Sequence, residues 1–136
     1  MIEIKNSDLV KTRSFLYGLK LKPKLSRHRT KFIRLLDNKI EDLTNASNEL
    51  IQQFAKKDNQ GNPIVKDNLV EFDDINKRIQ FEKEDRILFN EISKIDLSEY
   101  PLVKDALKQS LNELDIVLEK EEAETYELLC NLFDVD

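Results

Sequence analysis

The chain has 136 residues, 40% hydrophobic and 36% charged, with 27 acidic against 22 basic side chains and a formal net charge of −5. That balance argues against a disordered tract, and no apolar run approaches the ~18 residues that a membrane span needs. Two glycines and three prolines leave few turning points, which argues against a many-stranded sheet and predicts a few long elements.

The length suits one ordinary domain, residues 1–136, able to bury roughly two thirds of its unfolded surface. The start, MIEIKNSDLV, lacks the basic-then-apolar order of an export signal, so export is not expected. A single cysteine makes no internal disulfide and suits a reducing cytoplasm. The charge is unevenly placed. Residues 1–39 hold 11 Lys/Arg against Glu3, Asp8 and Asp37, a balance of +8, and residues 40–136 hold 11 against 24 acids, a balance of −13.

In chain order, Asn6 and Ser7 are good N-cap types and Asp8 suits a first turn, which predicts a helix over about 7–20 carrying Leu9, Leu16 and Leu19. Gly18 weakens its end and Pro23 bars simple continuation, leaving 21–25 as a connector. Ser26 is the next N-cap candidate. The apolar series Phe32, Leu36, Ile40, Leu43, Leu50 and Phe54 has helical spacing, which predicts one helix of about 30 residues, with the poor helix formers Thr44–Asn48 as the place where a kink or break would fall. The turn cluster DNQGNP (58–63) leads to Ile64-Val65 and Leu69-Val70 around Asp67-Asn68, which predicts a small β-hairpin within 63–72. Asp73 or Asp74 opens a third helix through about Ile92. Ser98 and Pro101 open a fourth, with Val103, Leu107, Leu111, Leu114 and Leu118 as its stripe. An acidic turn, Glu119–Glu122, precedes a last helix carrying Ala123, Tyr126, Leu129, Cys130 and Phe133. The expected fold is mostly α, a helical bundle of four to five helices with one small β-hairpin.

Few residues suggest chemistry. One histidine and one cysteine lie about a hundred residues apart, so neither a nucleophile–base pair nor a His/Cys metal cluster is indicated. Asp58-Asn-Gln-Gly-Asn-Pro resembles a calcium loop, but Pro63 stands where glycine is required and Leu69 where glutamate is required. No glycine-rich phosphate loop exists, and no enzyme activity, cofactor or metal is expected. Cys130 is read as a small buried hydrophobe and His28 as an exposed imidazole.

The stretch LKPKLSRHRTKFIRLL (21–36) is different, because it gathers Lys22, Lys24, Arg27, His28, Arg29, Lys31 and Arg34 where a helix begins. A helix N-terminus is already partly positive, so these cations are locally unfavourable and imply an anion alongside. Three sources are open: the chain's own acidic C-terminal segment, with nine carboxylates against Lys120 alone over 113–136, an acidic protein partner, or nucleic acid. The acidic remainder and the lack of interleaved aromatic residues argue against nucleic acid. The anion- or partner-binding candidates are Lys22, Lys24, Arg27, Arg29, Lys31 and Arg34. The apolar stripes of the second and fourth helices are read mainly as core, with a partner groove as the alternative.

Three segments resemble a family of short uncharacterised proteins from tailed siphophages that infect Gram-positive bacteria. They are IKNSDLV followed by FLYGLKLKPKLSRHRTKFIRLL, then AKKDNQGNPIV, then EEAETYELLCNLFD, together about half of the chain. The resemblance implies no catalytic residues and a product of the late, structural-gene side of a phage genome. It implies a non-enzymatic protein of the host bacterial cytoplasm that binds a phage structural or assembly protein, as an accessory or chaperone in virion or tail assembly. The alternative it leaves open is an inhibitor of a host anti-phage defence complex, and a nucleic-acid binder using residues 20–34 is the third reading. The opposed charges of the two chain segments also predict head-to-tail self-association.

Overall fold

In the computed structural model, which describes residues 1–136, the elements run β1 (Ile2–Lys5), a 3-10 turn (Asn6–Asp8), α1 (Leu9–Tyr17), α2 (Pro23–Phe54), β2 (Val65–Lys66), β3 (Leu69–Val70), α3 (Ile75–Asn90), β4 (Ile92–Ile95), α4 (Pro101–Asn112) and α5 (Lys120–Leu132). The fold is mostly α, five helices with a small hairpin at β2–β3, as the spacing predicts. The chain divides into two compact units, residues 1–40 with 92–136, and residues 41–91.

The first unit is closed by a pairing absent from the sequence reading. β1 runs antiparallel to β4 with Ile2 opposite Ile95 and Ile4 opposite Ser93. Ile-Glu-Ile-Lys alternates apolar and polar, so Ile2 and Ile4 are buried while Glu3 and Lys5 face water. The predicted third helix is corrected here: it ends at Asn90, and Ile92 belongs to β4. Asn6 does not cap a helix. Its side-chain oxygen accepts the Ser93 hydroxyl instead, tying the end of β1 to β4, and α1 starts later, at Leu9.

Leu9 and Leu16 of α1, Phe32 and Leu36 of α2, Leu107 and Leu111 of α4, and Leu129 of α5 with Phe133 just beyond it are fully buried. Phe32 and Phe133 meet edge to face, ring centroids 5.3 Å apart at 77°. Each such side chain contributes about 1.5–3 kcal/mol on leaving water. Tyr126 of α5 donates its hydroxyl to the Leu111 carbonyl at 2.7 Å, satisfying an acceptor in the last turn of α4. Because α4 stops at Asn112, Leu114 and Leu118 lie in the following loop rather than on a helical stripe. Cys130 is half-buried, not buried as expected.

α2 also departs from its predicted bounds. It begins at Pro23, three residues before Ser26, because proline costs nothing at a position whose N–H has no helical acceptor. It continues unbroken through Thr44–Asn48, so no break occurs there. The propensity deficit of a few tenths of a kcal/mol per residue is outweighed by the cooperativity of a long helix.

In the second unit, Asp67 (φ 51°) and Asn68 (φ 64°) are both left-handed, the conformation of a two-residue hairpin turn whose twist matches its strands. Val65 faces Val70 and Lys66 faces Leu69. Ahead of the hairpin, an Asp58 carboxylate oxygen accepts the Gln60 and Asn62 amides at 2.9 and 3.0 Å, and Gly61 supplies the φ of 80° that this turn requires. The hairpin is tied to the end of α2 by the Lys56 amide donating to the Glu71 carbonyl at 2.8 Å and the Ile64 amide to the Lys56 carbonyl at 2.9 Å. Asp74 caps α3 by accepting the Lys77 amide at 2.9 Å. No residue of α3 is buried.

Candidate functional site

The head of α2 has no acidic residue in its first turn, so nothing on the helix itself offsets Lys24, Arg27, His28, Arg29 and Lys31 against the positive helix end. The structure separates these cations by what their side chains touch.

Arg29 turns back onto α1. One guanidinium nitrogen donates to the Leu16 carbonyl at 2.6 Å and the Leu19 carbonyl at 2.8 Å, and the other donates to the Ser26 hydroxyl at 3.1 Å. These acceptors sit at the negative end of α1, where a cation is favourable and a helix leaves carbonyls unpaired. The anion that Arg29 requires is therefore a helix terminus in its own chain. Among the six predicted site residues it is the one whose guanidinium the fold holds by hydrogen bonds, through both terminal nitrogens, while its buried Nε has no acceptor.

Lys31 places its ammonium 4.8 Å from the centroid of the Tyr100 ring, a cation–π contact. The remaining four, Lys22, Lys24, Arg27 and Arg34, are exposed and make no hydrogen bond or ion pair within the chain. Lys24, Arg27, Lys31 and Arg34 stand at i, i+3, i+7 and i+10 of α2. At 3.6 residues per turn they share one stripe, about 80° wide and about 15 Å long.

The C-terminal acids do not supply the missing counter-charge. No carboxylate of α5 pairs with the cationic stretch; Glu121 and Glu124 lie instead near Lys11 of α1, whose pKa is raised chiefly by its hydrogen bond to Asp8 and secondarily by these acids. Asp37, the one acid of the stretch's own turns, is taken by Arg13 of α1 at 2.8 Å. The facing acids are Asp105 of α4 and Glu113 just beyond its end. Lys22, Lys24 and His28 line one wall of a 440 Å³ groove, and Asp105 and Glu113 line the other without closing an ion pair. His28, expected to be exposed, is half-buried in that wall.

The apolar stripes of the second and fourth helices are core at Phe32 and Leu36 of α2 and at Val103, Leu107 and Leu111 of α4, as expected. Exposed aliphatic surface lies at Leu102 (59%) of α4, which lines the groove with His28 and Asp105, at Ile75 (68%) and Ile79 (56%) of α3, at Leu69 (71%) of the hairpin, and at Ile116 (55%) and Val117 (97%) of the loop before α5. In the second unit, Leu69, Phe72, Ile75 and Phe81 share a 780 Å³ concavity rimmed by Lys56 and Arg78. The sequence places Ile75 and Ile79 at helical spacing on the third helix, but that spacing alone does not show whether the face they share is covered.

The described residues hold no cluster of His, Cys, Asp or Glu of the kind that holds a metal ion, and no helix is long and apolar enough to cross a membrane. Fold and surface together define a mostly α protein with an uncompensated cationic stripe. No family model, curated protein or solved structure matches the chain.

Proposed function

We propose that this chain acts by binding another protein through the cationic stripe of α2, as an accessory or chaperone in bacteriophage virion or tail assembly inside the host bacterial cytoplasm. The observation that carries the binding reading is that Lys24, in the positive first turn of α2, and Arg27 and Arg34, further along the same face, are exposed with no partner in their own chain. The fold gains nothing from them there, whereas an acidic partner surface would gain from all three. The phage setting rests on the resemblance of the three sequence segments.

The test is capture from infected cells with the tagged wild-type chain and with a Lys24→Glu/Arg27→Glu/Arg34→Glu variant. The wild type brings down a phage structural or assembly protein and the variant does not. Equal capture by both proteins contradicts the stripe as the binding surface.

A second reading, inhibition of a host defence complex, is favoured by one other observation. The carboxylates of Glu119, Glu121 and Glu122 form no ion pair, so this end of the molecule presents clustered negative charge. Salt-sensitive capture of a host nuclease, with no phage protein, selects this reading over assembly.

A further inference from the structure

The loop between α4 and α5, residues 113–119, has the properties of a docking segment. Val117 is 97% exposed and Ile116 is 55% exposed, side by side, while their neighbours Leu114 and Leu118 are half-buried and anchor the loop. The amides of Asp115, Ile116, Val117 and Leu118 donate to no backbone carbonyl. Around them stand Glu113, Asp115, Glu119, Glu121 and Glu122, none of them in an ion pair; Glu113 accepts the Gln109 side-chain amide, Glu121 lies near Lys11 of α1, and Lys120 is the one cation of the segment itself. An apolar pair held in water, on open backbone, among carboxylates that form no ion pair, is a surface without a partner in its own chain.

The complementary surface is on the same unit. The stripe of Lys24, Arg27, Lys31 and Arg34 has no ion-pair partner, and beside it Lys31, Arg34, Leu35, Asp37, Asn38 and Tyr100 line a dent of 420 Å³, in which Leu35 and Tyr100 are the apolar members and Asp37 is already paired with Arg13. We infer that this loop docks on the cationic stripe of a second copy of the chain, with Asp115 and Glu119 against Arg27 and Arg34 and the Ile116–Val117 pair against Leu35 and Tyr100 of the dent. The inference rests on the reading of the stripe as a binding site and names a second copy as an occupant. A different patch on each copy makes the contact head-to-tail, so it propagates into rings or short open assemblies rather than closing as a two-fold pair. Any acidic partner of the stripe then competes with self-docking.

Two charge-reversed proteins test this. The first is Lys24→Glu/Arg27→Glu/Arg34→Glu and the second is Asp115→Lys/Glu119→Lys, all at exposed positions. The wild type at about 20 mM salt is expected to scatter light with an apparent mass at least twice its 16.0 kDa, falling to the monomer near 0.5 M salt as the Debye length drops to a few ångströms. Each reversed protein alone is expected to stay monomeric at low salt. Mixed in equal amounts they are expected to associate again, because the stripe of each now complements the loop of the other. A separate Val117→Asp variant is expected to lose association at every salt concentration.

A monomeric wild type at low salt overturns the inference, as does a mixture that fails to associate. Loss of association in the stripe variant but not in the loop variant also overturns it, by assigning the stripe to another acidic surface. Failure of the binding reading itself is distinguishable. In that case the stripe variant still captures partner from infected cells, whereas failure of self-docking alone leaves capture stripe-dependent.

Discussion

Residues 1–40 with 92–136 and residues 41–91 place their apolar side chains differently. In the first unit, Phe32, Leu36, Leu107, Leu111, Leu129 and Phe133 are at 0% exposure, and in the second only Leu43 and Ala55 are buried hydrophobics while Leu69 and Ile75 are 71% and 68% exposed. One unit is held by side-chain packing. The other combines backbone hydrogen bonds, an Asx turn and a helix cap with a smaller packing contribution, such as the Phe72–Phe81 ring contact at 5.4 Å. The same contrast recurs at finer scale at the head of α2, where Arg29 is built into the fold and Arg27 and Arg34 are not.

The widest separation is expected between core and surface aliphatics. Phe133→Ala should lower unfolding free energy by about 3–5 kcal/mol, and Ile79→Ala by no more than about 0.5, in urea denaturation. A large loss at Ile79 breaks the contrast by showing that α3 has a hidden apolar partner.

Arginine replacements sharpen it next. Arg29→Met leaves two carbonyls of α1 without their charged donor and is expected to cost about 1.5–3 kcal/mol. Arg27→Met should stay within about 0.5 kcal/mol, since exposed positions without contacts contribute little. Similar losses at both positions remove the distinction on which the site rests.

Backbone conformation gives a smaller effect in the second unit. Asn68 is left-handed at φ 64°, so Asn68→Val is expected to cost about 1–2 kcal/mol, whereas Asn68→Gly is tolerated. Hydrogen exchange of the Lys56 and Glu71 amides, which tie the hairpin, reads the change locally.

The smallest effect carries a pH signature. Tyr126 has its pKa raised above the ordinary 10.0 by burial first, and then by its neighbour Cys130. The neutral phenol is favoured in the folded state, where it donates to Leu111. Its contribution is therefore complete below pH 10 and is lost as pH rises through the higher folded value. Tyr126→Phe should cost about 1 kcal/mol at neutral pH, and its difference from wild type should shrink in more alkaline solution.

Much of this fold is written in periodicities. The series from Phe32 to Leu43 and the set Val103, Leu107 and Leu111 locate two helices and the faces they bury, and Asp67-Asn68 marks the hairpin turn. What escaped detection has a physical reason. β1 and β4 are short strands whose pairing bridges some ninety residues, a non-local contact that no local pattern encodes. Ile92 extended an apparent helical stripe, although Ile2 and Ile4 alone carried the period-two signature of a strand partner. At the site, the cluster of cations was visible but their division was not. Arg29 and Arg27 are two residues apart and chemically identical, and only the return of α1 past α2 separates their roles.

The account turns on whether the free cations at the head of α2 serve the fold. Urea denaturation of the Lys24→Glu/Arg27→Glu/Arg34→Glu variant asks this directly, since an acid at position 24 complements the helix end that Lys24 opposes and the other two side chains make no contact within the chain to lose. The expected result is an unfolding free energy equal to the wild type or higher by up to about 1 kcal/mol. A decrease of more than about 1 kcal/mol would show that these side chains hold the molecule together, and the stripe would no longer stand as a binding surface.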